Sequence, residues 1–195
     1  MSRGLQGPAP EERPKPAGRR NAQGIRIDPE VEAEQPPRRE VLSALVAHEP
    51  GVLAKVSGLF ARRQFNIESL AVGPTSEDDL ARITIVVEEP EPGIEQVKRQ
   101  LNKLVPVRSV TELAGAVERE LALIKVSAKD PSDVTAVAEM FNGTSVDACP
   151  ETVTVEVTGT EAEIDRAVAA FDRFEVQEVV RTGTAALAQG TEETA

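Results

Sequence analysis

The stretch EVLSALVAHEPGVLAKVSGLFARRQFNIESLAVG, Glu40–Gly73, decides the fold. Its opening, EVLSALVAH, is an apolar run of the length of a buried strand. Pro50 and Gly51 break it. From Gly51 to Arg63 the period changes, and Val52, Leu53, Val56, Leu59 and Phe60 fall on one helical face. FNIESLAVG, residues 65–73, then reads as a second strand, with Asn66, Glu68 and Ala71 among its more polar or small positions. A strand therefore passes into a helix through a tight, bare corner, and another strand follows.

Moving outward, PTSEDD is a turn. LARITIVVEE (80–89) alternates as a strand and is stopped by Pro90 and Pro92. GIEQVKRQLNKL (93–104) is amphipathic, with Ile94, Val97, Leu101 and Leu104 at helical spacing. VRSVTEL (107–113) is a last strand. The same order returns in ELALIKVSA (120–128), PSDVTAVAEMFNG (131–143), TSVDAC, ETVTVEVTG, EAEIDRAVAAFDRF and EVQEVVRTG. Its helices align Val134, Val137, Ala138 and Phe141, then Ile164, Ala167, Val168 and Phe171, and Gly143 is placed as a C-terminal stop. Two consecutive βαββαβ units predict an α+β chain of two tandem ferredoxin-like plaits, each a four-stranded antiparallel sheet with two helices on one face. The bare face or edge of each sheet needs a cover, from the other unit or from another subunit. The predicted organisation is a Pro-rich, disordered extension over 1–38, a first plait over 39–114, a second over 117–183 and a flexible tail over 184–195. The extension holds seven of the 14 prolines, and its few apolar residues show no period.

Composition narrows the partners. Apolar residues make up 40% of the 195, but aromatics only 3%, with neither Trp nor Tyr. The core must be aliphatic, and the composition argues against aromatic stacking platforms for single-stranded nucleic acid. The net charge of −11 argues against nucleic acid as a partner. Residues 1–40 carry 8 of the 22 basic and 7 of the 33 acidic residues, so the acidity belongs to the folded part. One cysteine, Cys149, allows no intramolecular disulfide and no thiolate metal cluster, and it is expected to pack as a small apolar group. No apolar run approaches a membrane span, and no apolar core marks a secretory signal. A reducing cytoplasm fits.

The corner AHEPGVL has a counterpart, AKDPSDV, in the repeat. Each places an acidic residue and then Pro at a helix start. Asp130 before Pro131 is a good N-cap with Pro in the first turn. The first corner differs in Gly51, which lets another group approach the backbone closely. The N–H groups of Gly51, Val52 and Leu53 would point out of a helix N-terminus, where an anion such as a free carboxylate is favoured. Ordinary Pro-Gly turn chemistry is the other reading of the same residues.

Here the residues resemble a known family. VLSALVAHEPGVLAKVSGLFARRQFNIESLAVGPTSEDDLARITIVV is similar to the ACT domain of the regulatory (small) subunit of acetolactate synthase, also called acetohydroxyacid synthase. PGVL, NIESL with its flanks, ARITIVV, QLNKLVPV and VERELALIKV carry the likeness, which covers residues 40 to about 188. The resemblance implies a chain without catalytic or metal-binding residues and without a cofactor of its own. It implies binding to a large catalytic subunit, where thiamine diphosphate, Mg²⁺ and FAD reside. It further implies activation of that subunit and feedback by a branched-chain amino acid, usually valine, held between two ACT domains of a homodimer. The corner residues so implicated are His48, Gly51, Val52 and Leu53, with Asn66 and Ile67 reaching in from the neighbouring protomer. Gly73 lies where family members with altered feedback vary. Two positions depart from the pattern: His48 stands where Asn or Asp is usual, and Gly73 where Ala is frequent. His48 also reads as a surface loop histidine.

On this reading Ser132, in place of Gly51, leaves the second corner without an effector and free for packing or for the catalytic subunit. An acylphosphatase-like enzyme would need an Arg in the corner, where Glu49 instead repels phosphate. The lone His48 and Cys149 support no nucleophile–base pair, and Glu68, Asp147 and Glu156 read as solvated strand positions. An RNA-binding plait would need aromatic middle strands and a basic sheet. A stand-alone ACT-type amino-acid sensor acting on another protein is the alternative.

Overall fold

The structure is a computed structural model, and it describes residues 36–127, 130–190 and 194. The Pro-rich extension predicted for 1–38 lies almost wholly outside the described residues. The first plait runs β1 (Arg38–Ala47), α1 (Val52–Arg63), β2 (Ser69–Pro74), β3 (Leu80–Glu89), α2 (Glu91–Leu101) and β4 (Val107–Glu112). The second runs β5 (Val117–Ser127), α3 (Pro131–Glu139), β6 (Thr144–Ala148), β7 (Thr152–Gly159), α4 (Glu161–Phe171) and β8 (Glu175–Arg181). A short strand, β9 (Ala185–Leu187), follows. Strand orders are β2-β3-β1-β4 and β6-β7-β5-β8, all pairs antiparallel. This is the predicted plait, twice. Contacts join the described residues from Pro37 onward into one compact unit.

Alternation along the central strands builds each core. Leu42, Ala44 and Val46 of β1 and Ala81, Ile83, Ile85 and Val87 of β3 face α1 and α2. They meet Val52, Val56, Leu59 and Phe60 from α1 and Ile94, Val97 and Leu101 from α2. Ala122, Ile124 and Val126 of β5 and Val153, Val155 and Val157 of β7 repeat the pattern against Val134, Val137, Ala138, Ile164, Ala167 and Phe171. The few aromatics sit at helix ends: Phe60 meets Phe65 edge-to-face with centroids 6.1 Å apart, and Phe171 meets Phe174 at 6.1 Å.

Local details correct the sequence reading. Residues 65–68 are not strand. Gln64 ends α1 in a left-handed turn, Phe65 donates its N–H back to Phe60, and the ladder of β2 starts only at Ser69. α2 begins at Glu91 because Pro92 suits a first turn, where a missing N–H removes nothing. α3 ends at Glu139, and Asn142 takes the left-handed position expected of Gly143. Gly143 has another reason: a Cβ there would lie 2.8 Å from the Glu156 carbonyl oxygen.

The segment 184–187, expected to be part of a loose tail, is built into the fold. β9 pairs with the start of β5, setting Val117 opposite Leu187, Glu118 opposite Ala186 and Arg119 opposite Ala185. Ala186 packs with Val41, Val86 and Leu113, which alternate with the core residues and so lie on the helix-free face of the first sheet. That face finds part of its cover in the chain's own C-terminal segment. On the same face Arg39 donates to Glu118 at 2.7 Å and to Glu161 at 2.8 Å, joining the plaits by ion pairs. No described helix is long and apolar enough to cross a membrane.

Candidate effector site at the tip of the first helix

The corner after β1 is held from below. Ala47 N–H donates to the Pro106 carbonyl and His48 N–H to the Asp79 carbonyl, both at 2.8 Å, so the corner is stitched to the turns flanking it. Gly51 is the N-cap of α1 with φ +85° and ψ −3°. This left-handed backbone is where a side chain is disfavoured, which is a stronger demand for glycine than a turn alone makes. A Cβ at Gly51 would meet nothing within 4 Å, so the space in front of the tip is open.

The four described helices differ in how their N-termini are satisfied. At α3, Asp130 accepts from the Ser132 N–H at 2.9 Å and the Ser132 hydroxyl at 2.6 Å, and these bonds hold its carboxyl below the usual range. At α4, the Glu163 carboxylate accepts from the Thr160 N–H at 2.7 Å and hydroxyl at 2.9 Å, again lowering its pKa. α2 carries Glu91 in its first turn. α1 has neither a side-chain cap nor an acidic residue in its first turn. Among the described helices, α1 alone has its N-terminal partial positive charge met by neither a capping side chain nor a first-turn carboxylate. The second corner is self-capped by Asp130, the role its sequence suggested.

The residues implicated by the sequence fall into two groups within one chain. His48, Gly51, Val52 and Leu53 form the corner. β1 and β2 both pair antiparallel with β3, and the register carries Gly73 through Arg82 to Leu45. Gly73 therefore lies level with the corner end of β1, two strands away, or about 10 Å. A Cβ at Gly73 would also meet open space. Asn66 and Ile67 stand beyond the other end of the 12-residue α1, about 18 Å from its tip. A single chain cannot bring them to one small molecule at the corner.

Side-chain directions revise two roles. Val52 is buried at 4% exposure in its own core, so it anchors the tip and presents no side chain to a ligand. Leu53, placed by spacing on the same helical face as Val52, is 44% exposed. Being one residue on, it is rotated about 100° away from Val52. Val72, 50% exposed on β2, is a second apolar group left open. β2 is an edge strand, and no partner pairs with its outer side among the described residues. Asn66 is exposed and donates through Nδ2 to Glu68, leaving Oδ1 as an acceptor. Cys149 is exposed in the turn after β6, not packed as expected. The Thr152 hydroxyl, 3.0 Å away, lowers its pKa.

Known proteins resemble this chain over most of its length. Residues 42–109 match the family model described as the AHAS small subunit-like ACT domain, and 119–190 match that described as the small subunit of acetolactate synthase. The acetolactate synthase small subunit of Mycobacterium bovis is 42% identical over 158 residues, spanning 79% of this chain and 94% of that protein. The chain belongs to the acetolactate synthase small-subunit family. The Mycobacterium leprae member is 44% identical over 153 residues, covering 76% of this chain and 90% of its own. The crystal structure of the Thermotoga maritima small subunit superposes with a TM-score of 0.75 at 36% identity, covering 80% of this chain and 99% of that one.

Among the described residues no group of three or more His, Cys, Asp or Glu side chains is placed to hold a metal. Sequence reasoning passed over Ser69, Gly183 and Thr184, which meet where the C-terminal segment crosses the first sheet. The signal was faint: a glycine followed by TAAL, too short to show a period.

Proposed function

We propose that this chain is the regulatory subunit of an acetolactate synthase. It docks on the thiamine-diphosphate-dependent large subunit, raises its activity and makes it sensitive to valine or another branched-chain amino acid. The observation that carries the reading is the tip of α1 in a chain of this family: glycine in a left-handed cap, open space before it, and neither a side-chain cap nor an acidic residue in the first turn.

Each part of an α-amino acid has a counterpart there. The carboxylate accepts from the free N–H groups at Gly51 and Leu53, with His48 as a further donor. Leu53 offers its exposed side chain to the branched apolar group. The ammonium is taken by Asn66 Oδ1 of a second copy, with Ile67 beside it, because the span of α1 separates these residues from the corner of their own chain. Pairing of two copies along the open edge of β2 brings the two groups together and puts Gly73 at the rim. A ligand that bridges protomers favours one of their arrangements, and that difference is the source of coupling. The cytoplasm, with thiamine diphosphate, Mg²⁺ and FAD in the catalytic partner, completes the reading.

The test is an activity assay of the large subunit with and without this chain, across valine, leucine and isoleucine. Stimulation by the chain, with inhibition by at least one of the three only when the chain is present, is expected. A large subunit indifferent to the chain would refute the reading.

A further inference from the structure

Gly183 is where the chain leaves the second plait. Its φ is +78°, and a Cβ there would stand 2.7 Å from Ser69 Oγ and 3.2 Å from the Leu70 carbonyl oxygen. No other residue fits between the plaits at this point. The next residue, Thr184, is buried and donates its N–H to Ser69 Oγ at 2.8 Å. Ala185–Leu187 then pairs with Val117–Arg119, with Ala186 pressed on Val41, Val86 and Leu113. Beyond it, Ala188 N–H donates to Thr194 Oγ1 at 2.6 Å, and Arg82 reaches from β3 to the Thr194 carbonyl and to Ser43 Oγ.

The same segment is fixed in the second plait. Thr182 N–H donates to the Leu121 carbonyl at 3.0 Å. Arg181 grips the Glu120 carboxylate with two nitrogens, at 2.9 and 2.7 Å, and Asp165 at 2.8 Å. Two residues later the chain touches Ser69, the first residue of β2 and the third after Asn66. Among the described residues, the connection from Leu113 to Val117 and the half-exposed ion pairs of Arg39 also link the plaits. Such pairs hold position weakly.

We propose that Gly183–Ala188 is a strap that carries effector binding on the first plait to the second, with Ser69 as its point of contact. The proposal rests on the regulatory reading above. A ligand that engages Asn66 and Ile67 fixes the backbone leading into Ser69. Ser69 Oγ and the Leu70 carbonyl are packed against Gly183 without slack, so a shift there must move the strap or break its hydrogen bond. The strap is rooted beside Arg181, so its movement reorients the second plait. Detaching it leaves both plaits folded, each with its own core, but uncouples them.

The experiment uses the full chain with its catalytic subunit and valine, leucine and isoleucine as probes. Ala186→Asp puts a carboxylate into the buried contact with Val41 and Val86, and Gly183→Val wedges the strap off Ser69. Ala186→Ser is the conservative rescue and Leu187→Ser, at a side chain 60% exposed, the neutral control. Amide hydrogen exchange reads docking directly. Both disruptive variants are expected to speed exchange at Thr184 and at Val117–Arg119 about tenfold or more, while Val56 and Ile164 stay protected. They are expected to weaken amino-acid inhibition about tenfold and leave stimulation of the large subunit within about twofold. Ala186→Ser and Leu187→Ser should behave as the unmodified chain. Fast exchange at Thr184 in the unmodified chain overturns the strap. So does inhibition that survives unchanged in a variant whose exchange shows the strap released, or equal loss of inhibition and stimulation. If one variant fails to fold, the other decides. No inhibition of the large subunit with the unmodified chain removes the regulatory reading itself and this proposal with it. Because that sample is measured first, the two failures are distinguishable.

Discussion

Gly51 combines two constraints that usually occur apart, a left-handed backbone and an open front. Aspartate tolerates that backbone better than most residues, so Gly51→Asp is expected to fold while placing a carboxylate where the effector's own would sit. Inhibition by valine should weaken about tenfold or more with stimulation nearly unchanged, read by titrating valine into the reconstituted enzyme. Asn66→Ala should weaken inhibition about fivefold by the same titration, again sparing stimulation, and equal loss of both would point to misfolding. At this scale the corner was legible in the sequence because Pro-Gly before a periodic run has few meanings. Leu53 shares the apolar stripe yet stays exposed, because a five-residue stripe spans more of the helix than the face it buries. Asn66 was placed on a strand because FNIESLAVG is apolar enough for one, and only the turn at Gln64 delays the ladder to Ser69.

Elements were legible where burial alternates or repeats over nine or more residues, as in β1, β3 and the four described helices. β9 was not, because three small residues carry no period and gain their place only from Val41, Val86 and Leu113. Between elements, the first plait holds a charged cluster on its helix side. Arg38 bonds Glu40, Glu91 at 2.7 Å and Glu112 at 2.7 Å, and Lys98 reaches Glu112 at 3.1 Å. The Arg38 guanidinium, with Lys98, holds the Glu112 carboxyl below its ordinary value, whereas burial and the nearby Glu112 push Glu40 up. The signs oppose. Glu112 contributes stability that is present above the ordinary carboxylate value and is lost as pH falls through its lower folded value. Glu40 contributes stability that is present below that value and is lost as pH rises through its higher one. Urea unfolding of Glu112→Gln is therefore expected to show a deficit against the unmodified chain that grows from acid toward neutral pH. Glu40→Gln should gain relative to it over the same interval. Parallel curves for the two variants would contradict this assignment.

At the scale of the whole molecule, the described residues form two aliphatic plaits, joined by a short connection, ion pairs of Arg39 and the segment over the first sheet. The duplication was legible because the element order repeats. What the sequence left open was how a helix-free sheet face is covered, since that depends on contacts between residues more than a hundred positions apart, such as Ser69 with Thr184. The central claim concerns two copies acting together: one offers uncapped amides at Gly51, the other the acceptor at Asn66. The most direct measurement is a crystal structure of the full chain grown with valine. The account expects a dimer paired along β2, with the amino acid's carboxylate within hydrogen-bond reach of the Gly51 and Leu53 N–H groups and its ammonium at Asn66 of the other protomer. Valine bound elsewhere, or a corner left empty at saturating valine, would contradict it.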